Sequence, residues 1–96
     1  MPKYAAMTTV TDRDFQNVQE LATLWGEIAA EIENNHDAEL KESYATLGEY
    51  DFIVIYDVED QDDAFQVALS IERHGLDTQT MAIEDTDNFA ELVDDI

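Results

Sequence analysis

Ninety-six residues make one domain, large enough for a real core but small enough that a partner subunit would add usefully to its buried surface. Twenty-four Asp and Glu against four Lys and Arg give a formal charge of −20, yet 45% of residues are hydrophobic and the acids are interleaved with periodic apolar positions, which excludes a disordered acidic tail. Four scattered cations cannot neutralise a row of phosphates, so nucleic acid and anionic membranes are excluded as partners, and the absence of cysteine excludes disulfides, thiolate nucleophiles and cysteine-based metal sites.

Residues 4–10 (YAAMTTV) are short and β-capable, and they predict a first strand. Thr11-Asp12-Arg13-Asp14 follows as a turn with capping chemistry and acids at a helix entry, where the dipole favours them. Phe15, Val18, Leu21, Trp25, Ile28 and Ile32 recur every three or four residues, so an amphipathic helix is expected over 14–33, widened by Ala22 and Ala29. Gly26 lies inside it at a cost of about 1 kcal/mol relative to alanine.

Asn34 to Asp37 ends that helix. A second strand is expected over 38–47, a turn at Gly48-Glu49 and a third strand over 50–58. The third strand is apolar on both parities, with Phe52, Val54, Tyr56 and Val58 on one and Ile53 and Ile55 on the other, which predicts cover on both faces. A two-residue loop at Gly48-Glu49 would pair Tyr44 with Ile53. A three-residue loop through Tyr50 would pair Tyr44 with Val54, and this second register is preferred. A second helix over 60–74 carries Ala64, Val67, Ala68 and Ile71 as its stripe, with Phe65 and Leu69 beside it. Three acids crowd its first turn and Gly75 caps its end. Residues 76–83 read as a fourth strand. Phe89, Leu92, Val93 and Ile96 suggest a short closing helix.

Strand, helix, strand, strand, helix, strand is the split βαβ order, an α+β ferredoxin-like fold with four antiparallel strands, two helices on one face and a short C-terminal helix. The other sheet face is left bare, and an apolar face rarely meets water on a monomer. A homodimer through the sheet faces is therefore expected, an α/β barrel burying at least roughly 1,600 Å². No segment is long and apolar enough to span a bilayer, and no signal-peptide h-region is seen, so a cytoplasmic location is expected. An acidic surface repels itself at low salt, and at about 1 M salt the screening length falls to about 3 Å. That points to a protein adapted to a high-salt cytoplasm.

Thr46-Leu47-Gly48-Glu49-Tyr50-Asp51 resembles the signature of the GYD domain family, whose glycine, tyrosine and aspartate fall on Gly48, Tyr50 and Asp51. Thr11-Asp12, the acidic helix entry at Asp60 to Asp63, Gly75, Thr78, Thr80 and Asp87-Asn88-Phe89 agree in outline, so the likeness covers most of the chain. It implies a ferredoxin-like domain over 1–96 in the dimeric α/β-barrel superfamily, and no settled activity. The acid-rich first helix departs from the family and suits a haloarchaeal-type member.

Tyr44, Tyr50 and Asp51 are the candidate ligand-binding residues. Asp51 at a barrel mouth could accept a proton or anchor a ligand, and Tyr50 could donate. The plainer reading has Asp51 bonding backbone amides and the tyrosines packing with their hydroxyls at a rim. His36 and His74 lack metal-ligand spacing and read as surface histidines. Asp57 to Asp63 fails the calcium-loop pattern, because Asp62 stands where glycine is required and Ala68 where glutamate belongs. Ser43 and Ser70 have no nucleophile elbow, and Trp25 belongs to the core. No cofactor is implied. The function expected is a small-molecule-binding module. The alternatives are a cofactor-independent monooxygenase or isomerase, by fold analogy alone, and a structural protein with a filled barrel.

Overall fold

Seven elements follow along the chain: β1 (Lys3–Val10), α1 (Val18–Asn35), β2 (Ala38–Ala45), β3 (Phe52–Val58), α2 (Gln61–Arg73), β4 (Leu76–Ile83) and α3 (Thr86–Asp94). The structure is a computed structural model that describes residues 1–11, 18–35 and 37–96, without the side chains of Val18 and Asn35. The expected turn and helix start at 11–14, the apolar Phe15 and the loop residue His36 therefore lie outside the described residues, Thr11 excepted. The four strands form one antiparallel sheet in the order β2-β3-β1-β4.

The sheet's two faces follow from alternation along β3. Phe52, Val54, Tyr56 and Val58 are buried against the helices, while Ile53, Ile55 and Asp57 point the other way and are half-buried. From β1, Ala6 and Thr8 join the buried side; Thr8 is wholly buried and its hydroxyl donates to the Phe52 carbonyl. α1 contributes Ile28 and Ile32, and α2 contributes Ala64, Val67 and Ile71. Trp25 stacks on Phe52 with ring centroids 4.9 Å apart, and Tyr4 stacks on Tyr56 at 6.0 Å. Of the predicted α2 residues, Phe65 and Leu69 do not reach this core. Both lie exposed on the helix's outer side.

The hairpin corrects the preferred register. Tyr44 pairs with Ile53 and Ala45 with Phe52, which puts Tyr44 on the face away from the helices. The connection is longer than a two-residue turn. Thr46 N–H donates to the Asp51 carbonyl at 2.9 Å, and the Thr46 hydroxyl bonds the Tyr50 carbonyl, leaving Leu47 to Tyr50 as the loop. Gly48 takes φ 127°, which side chains resist. A bulge at Lys41 lets Leu40 pair with Tyr56 and Glu42 with Ile55. That extra residue keeps Leu40 on the core side while Tyr44 faces out.

The acids that open α2 are capping groups. Asp63 N–H donates to Asp60 Oδ1 at 3.1 Å and Asp60 N–H to Asp63 Oδ2 at 3.3 Å, a reciprocal box. Gly75, at φ 88°, ends the helix by donating to the Glu72 carbonyl.

Tyr56 is the largest fully buried side chain among the described residues, and its hydroxyl lies near the Thr80 hydroxyl without a well-formed hydrogen bond to any described residue. Burial pushes its pKa up to about 12; the nearby Thr80 hydroxyl opposes the shift and Tyr4 adds to it. Folding therefore favours the neutral phenol. The associated stability is fully present below about pH 10 and is lost between about pH 10 and about 12, a loss of order 2 kcal/mol. Tyr56→Phe removes a buried hydroxyl that makes no well-formed hydrogen bond to a described residue. It is expected to raise stability at neutral pH by about 1 kcal/mol and to abolish this alkaline component. Urea unfolding of both proteins at pH 8 and 11 is the check, and an equal alkaline loss in the variant contradicts the assignment.

Candidate functional site

The loop Leu47 to Tyr50 is tied to the far end of β1 by Asp51. Asp51 N–H donates to the Thr8 carbonyl at 2.8 Å, and Asp51 Oδ2 accepts the Val10 N–H at 2.7 Å. A carboxylate accepting a backbone amide is a strong hydrogen bond, so the loop leaves the sheet at a fixed angle. Beside it, the Thr11 N–H and hydroxyl both bond the Gly75 carbonyl, which closes the same end of the molecule.

Held this way, Tyr50 reaches over β1 to β4, and its hydroxyl donates to Gln79 Oε1 at 2.9 Å. Gln79 pairs with Met7, and Met7 pairs with Ile53. The contact therefore bridges the open sheet face. A concavity of about 390 Å³ lies there, lined by Met7, Thr9, Tyr50 and Gln79, with Glu49, Asp77 and Glu72 among the acids around it. Three carboxylates disfavour an anionic ligand. A phenol and a carboxamide offer a donor and an acceptor to a neutral or cationic one.

Tyr44 is not part of this concavity. It sits on β2, at the opposite edge of the same sheet face, half exposed, with its hydroxyl donating to Glu42 Oε2 at 2.5 Å. That bond holds the Tyr44 pKa above its usual value. The structure thus places Tyr50 and Asp51 at one end and keeps Tyr44 apart. His74 bonds Glu31 Oε2 through Nε2 at 2.6 Å, and Arg73 bonds the other oxygen of Glu31, so the histidine joins α2 to α1. Lys41 bridges Glu39 at 3.0 Å and Asp57 at 3.7 Å; the Glu39 hydrogen bond is the main cause of its raised pKa. Among the described residues no group of three or more His, Asp or Glu could hold a metal ion, and no described helix is long and apolar enough to cross a membrane.

Residue-by-residue reasoning did not single out Met7, Thr9 or Gln79. Their strands carry no motif. The signal lay in topology, because the split βαβ order sets β4 beside β1 and so brings residues far apart in sequence under the Tyr50 ring.

The sequence model of the GYD domain matches residues 4–93, from β1 into α3. This chain belongs to the GYD domain family. In this GYD protein the family's glycine, tyrosine and aspartate have distinct physical tasks: Gly48 turns the loop, Tyr50 crosses the sheet and Asp51 pins the loop to β1. No curated protein matches the chain. Its fold is shared with the leucine response regulatory protein LrpA of Mycobacterium tuberculosis, at TM-score 0.60 and 13% identity over 88% of this chain and 51% of that one. A crystallised point mutant is similar at TM-score 0.61, also 13% identical, over 88% of this chain and 50% of that chain. The GYD protein spans about half the length of each, and the likeness is one of ferredoxin-like fold.

Proposed function

We propose that this GYD protein is a cytoplasmic homodimer that holds a small neutral or cationic molecule between its sheet faces and works at high salt. The observation that carries the reading is the Tyr50–Gln79 bridge over Met7, with its adjoining concavity, on the face that also presents Ala5, Ile53 and Ile55. A second sheet laid on that face would bury the isoleucines and close the concavity to water. Binding is favoured over catalysis because, among the described residues, no histidine, cysteine or serine lines the concavity, and a phenol paired with a carboxamide orients a ligand rather than attacking it. Of the candidate residues, Tyr50 makes the contact, Asp51 positions the loop beneath it, and Tyr44 belongs to the dimer face.

The test is native mass spectrometry of protein taken from its own cells in concentrated ammonium acetate. A dimer carrying a small-molecule adduct is expected. Tyr50→Phe should reduce the bound fraction about tenfold, the equivalent of one good hydrogen bond. Tyr44→Phe should leave it unchanged, and Ile55→Asp should yield monomer. A ligand-free dimer refutes the binding role, and a monomeric wild type refutes the assembly.

A further inference from the structure

Tyr56 is wholly buried, and its hydroxyl makes no well-formed hydrogen bond to a described residue. Buried polar groups are normally paired, so an orphan marks a place where a water or a ligand completes the network. The Tyr56 hydroxyl stands beside that of Thr80, and the Thr80 and Thr78 hydroxyls are 3.1 Å apart. A threonine hydroxyl offers three hydrogen bonds, one donated and two accepted. Thr78 and Tyr56 account for two of these at Thr80, and one is left over.

Thr80 is also a wall of a cavity. Between α2 and β4 runs a slot of about 180 Å³ lined by Tyr4, Gln61, Ala64, Phe65, Ala68 and Thr80, none of which carries a charge. An apolar cavity of about 150 Å³ holds one benzene ring, so this slot has room for a ring and a small substituent. Tyr4 and Phe65 bring two aromatic side chains to it, which favours an aromatic occupant over an aliphatic one. Gln61 stands in sequence between Asp60 and the pair Asp62 and Asp63, and their charge disfavours an anion. The uncharged, largely apolar walls do not repay the desolvation of a cation.

We infer that this slot is a small-molecule site whose occupant is one neutral aromatic ring bearing a hydroxyl, the ring beside Tyr4 and Phe65 and the hydroxyl on Thr80. A water alone would take the hydrogen bond left at Thr80 but leave Ala64, Ala68 and Phe65 wet, whereas a phenol answers both. Thr80 pairs with the buried Ala6, so the slot is on the helix side of the sheet, opposite the Tyr50 concavity. The site is therefore additional to the binding role proposed above and needs no second protomer.

Phenol and toluene have the same shape and differ by the hydroxyl, so they are the probes. Each is titrated into the full chain in molar KCl while the methyl NMR signals of Ala64, Ala68 and Thr80 are followed. Phenol is expected to shift these signals saturably at millimolar concentration, and toluene to bind about tenfold more weakly, the equivalent of one good hydrogen bond. Benzoate should not bind. Variants are checked for unchanged circular dichroism. Thr80→Val, which keeps the shape, should bring phenol down to the affinity of toluene, and Thr80→Ser should retain the preference. Ala68→Leu fills the slot and should abolish binding of both. In the wild type, the absence of saturable shifts at these three residues overturns the inference, as does equal affinity for phenol and toluene. A phenol preference that survives in Thr80→Val overturns the role given to Thr80. Shifts confined to Met7 and Gln79 would place the ligand in the Tyr50 concavity and overturn the slot as its site.

Discussion

Raising KCl from about 0.1 M to about 3 M is expected to stabilise the fold by several kcal/mol. Two like charges 10 Å apart cost about 0.4 kcal/mol in water. An excess of 20 acids over 96 residues makes many such pairs. The described ion pairs offset little of this. Lys41 serves Glu39 and Asp57, and Arg73 serves Glu31, while the acids at 59, 60 and 62 and those at 94 and 95 stand exposed in runs. At about 0.1 M the screening length is about 10 Å, comparable with the spacing of the charges, and in molar salt it falls to about 3 Å, so the repulsion is then largely removed. The unfolded chain is expanded and gains less from screening. Urea midpoints along a KCl series measure the effect. A midpoint that does not move between the two concentrations refutes both the energetic account and the proposed adaptation to high salt.

Trp25→Ala is expected to cost about 3 kcal/mol, which for a domain of this size lowers Tm by roughly 12–24 °C. Trp25 joins α1 to the sheet by stacking on Phe52, at 4.9 Å and an interplanar angle of 16°. Such a pair adds about 0.5–1.5 kcal/mol beyond burial alone. Trp25→Phe keeps an aromatic face on Phe52 and should lose less than half as much. Thermal unfolding followed by circular dichroism distinguishes the two variants. Equal losses would show that the stacking contributes nothing specific, and a loss under about 1 kcal/mol for the alanine variant would show that α1 is held elsewhere.

Element order, the central place of the residue 52–58 strand and the core stripe of α2 were legible because each rests on local period. Alternation at 52–58 and the three-to-four spacing of α1 need no knowledge of the rest of the chain. The site was only half legible. Gly48, Tyr50 and Asp51 stand together in sequence, but Asp51 meets Val10 and Tyr50 meets Gln79, partners 41 and 29 residues away. The preferred hairpin register failed for a related reason. Thr46 closes a four-residue loop, and a single extra residue at Lys41 then reconciles the Tyr44 and Leu40 faces.

Composition and periodicity were enough for the acidic balance, the α+β order and a third strand with apolar residues on both faces, since these are sums and short-range patterns. Whether Phe65 and Leu69 join the core, where Tyr44 points, and what lies under the Tyr50 ring were settled only in three dimensions. Each depends on which strands become neighbours and on how far two helices can cover a four-stranded sheet. The sheet is wider than the shadow of α1 and α2, so apolar residues that read alike in the chain part company, some sealed beneath the helices and others left on outer surfaces.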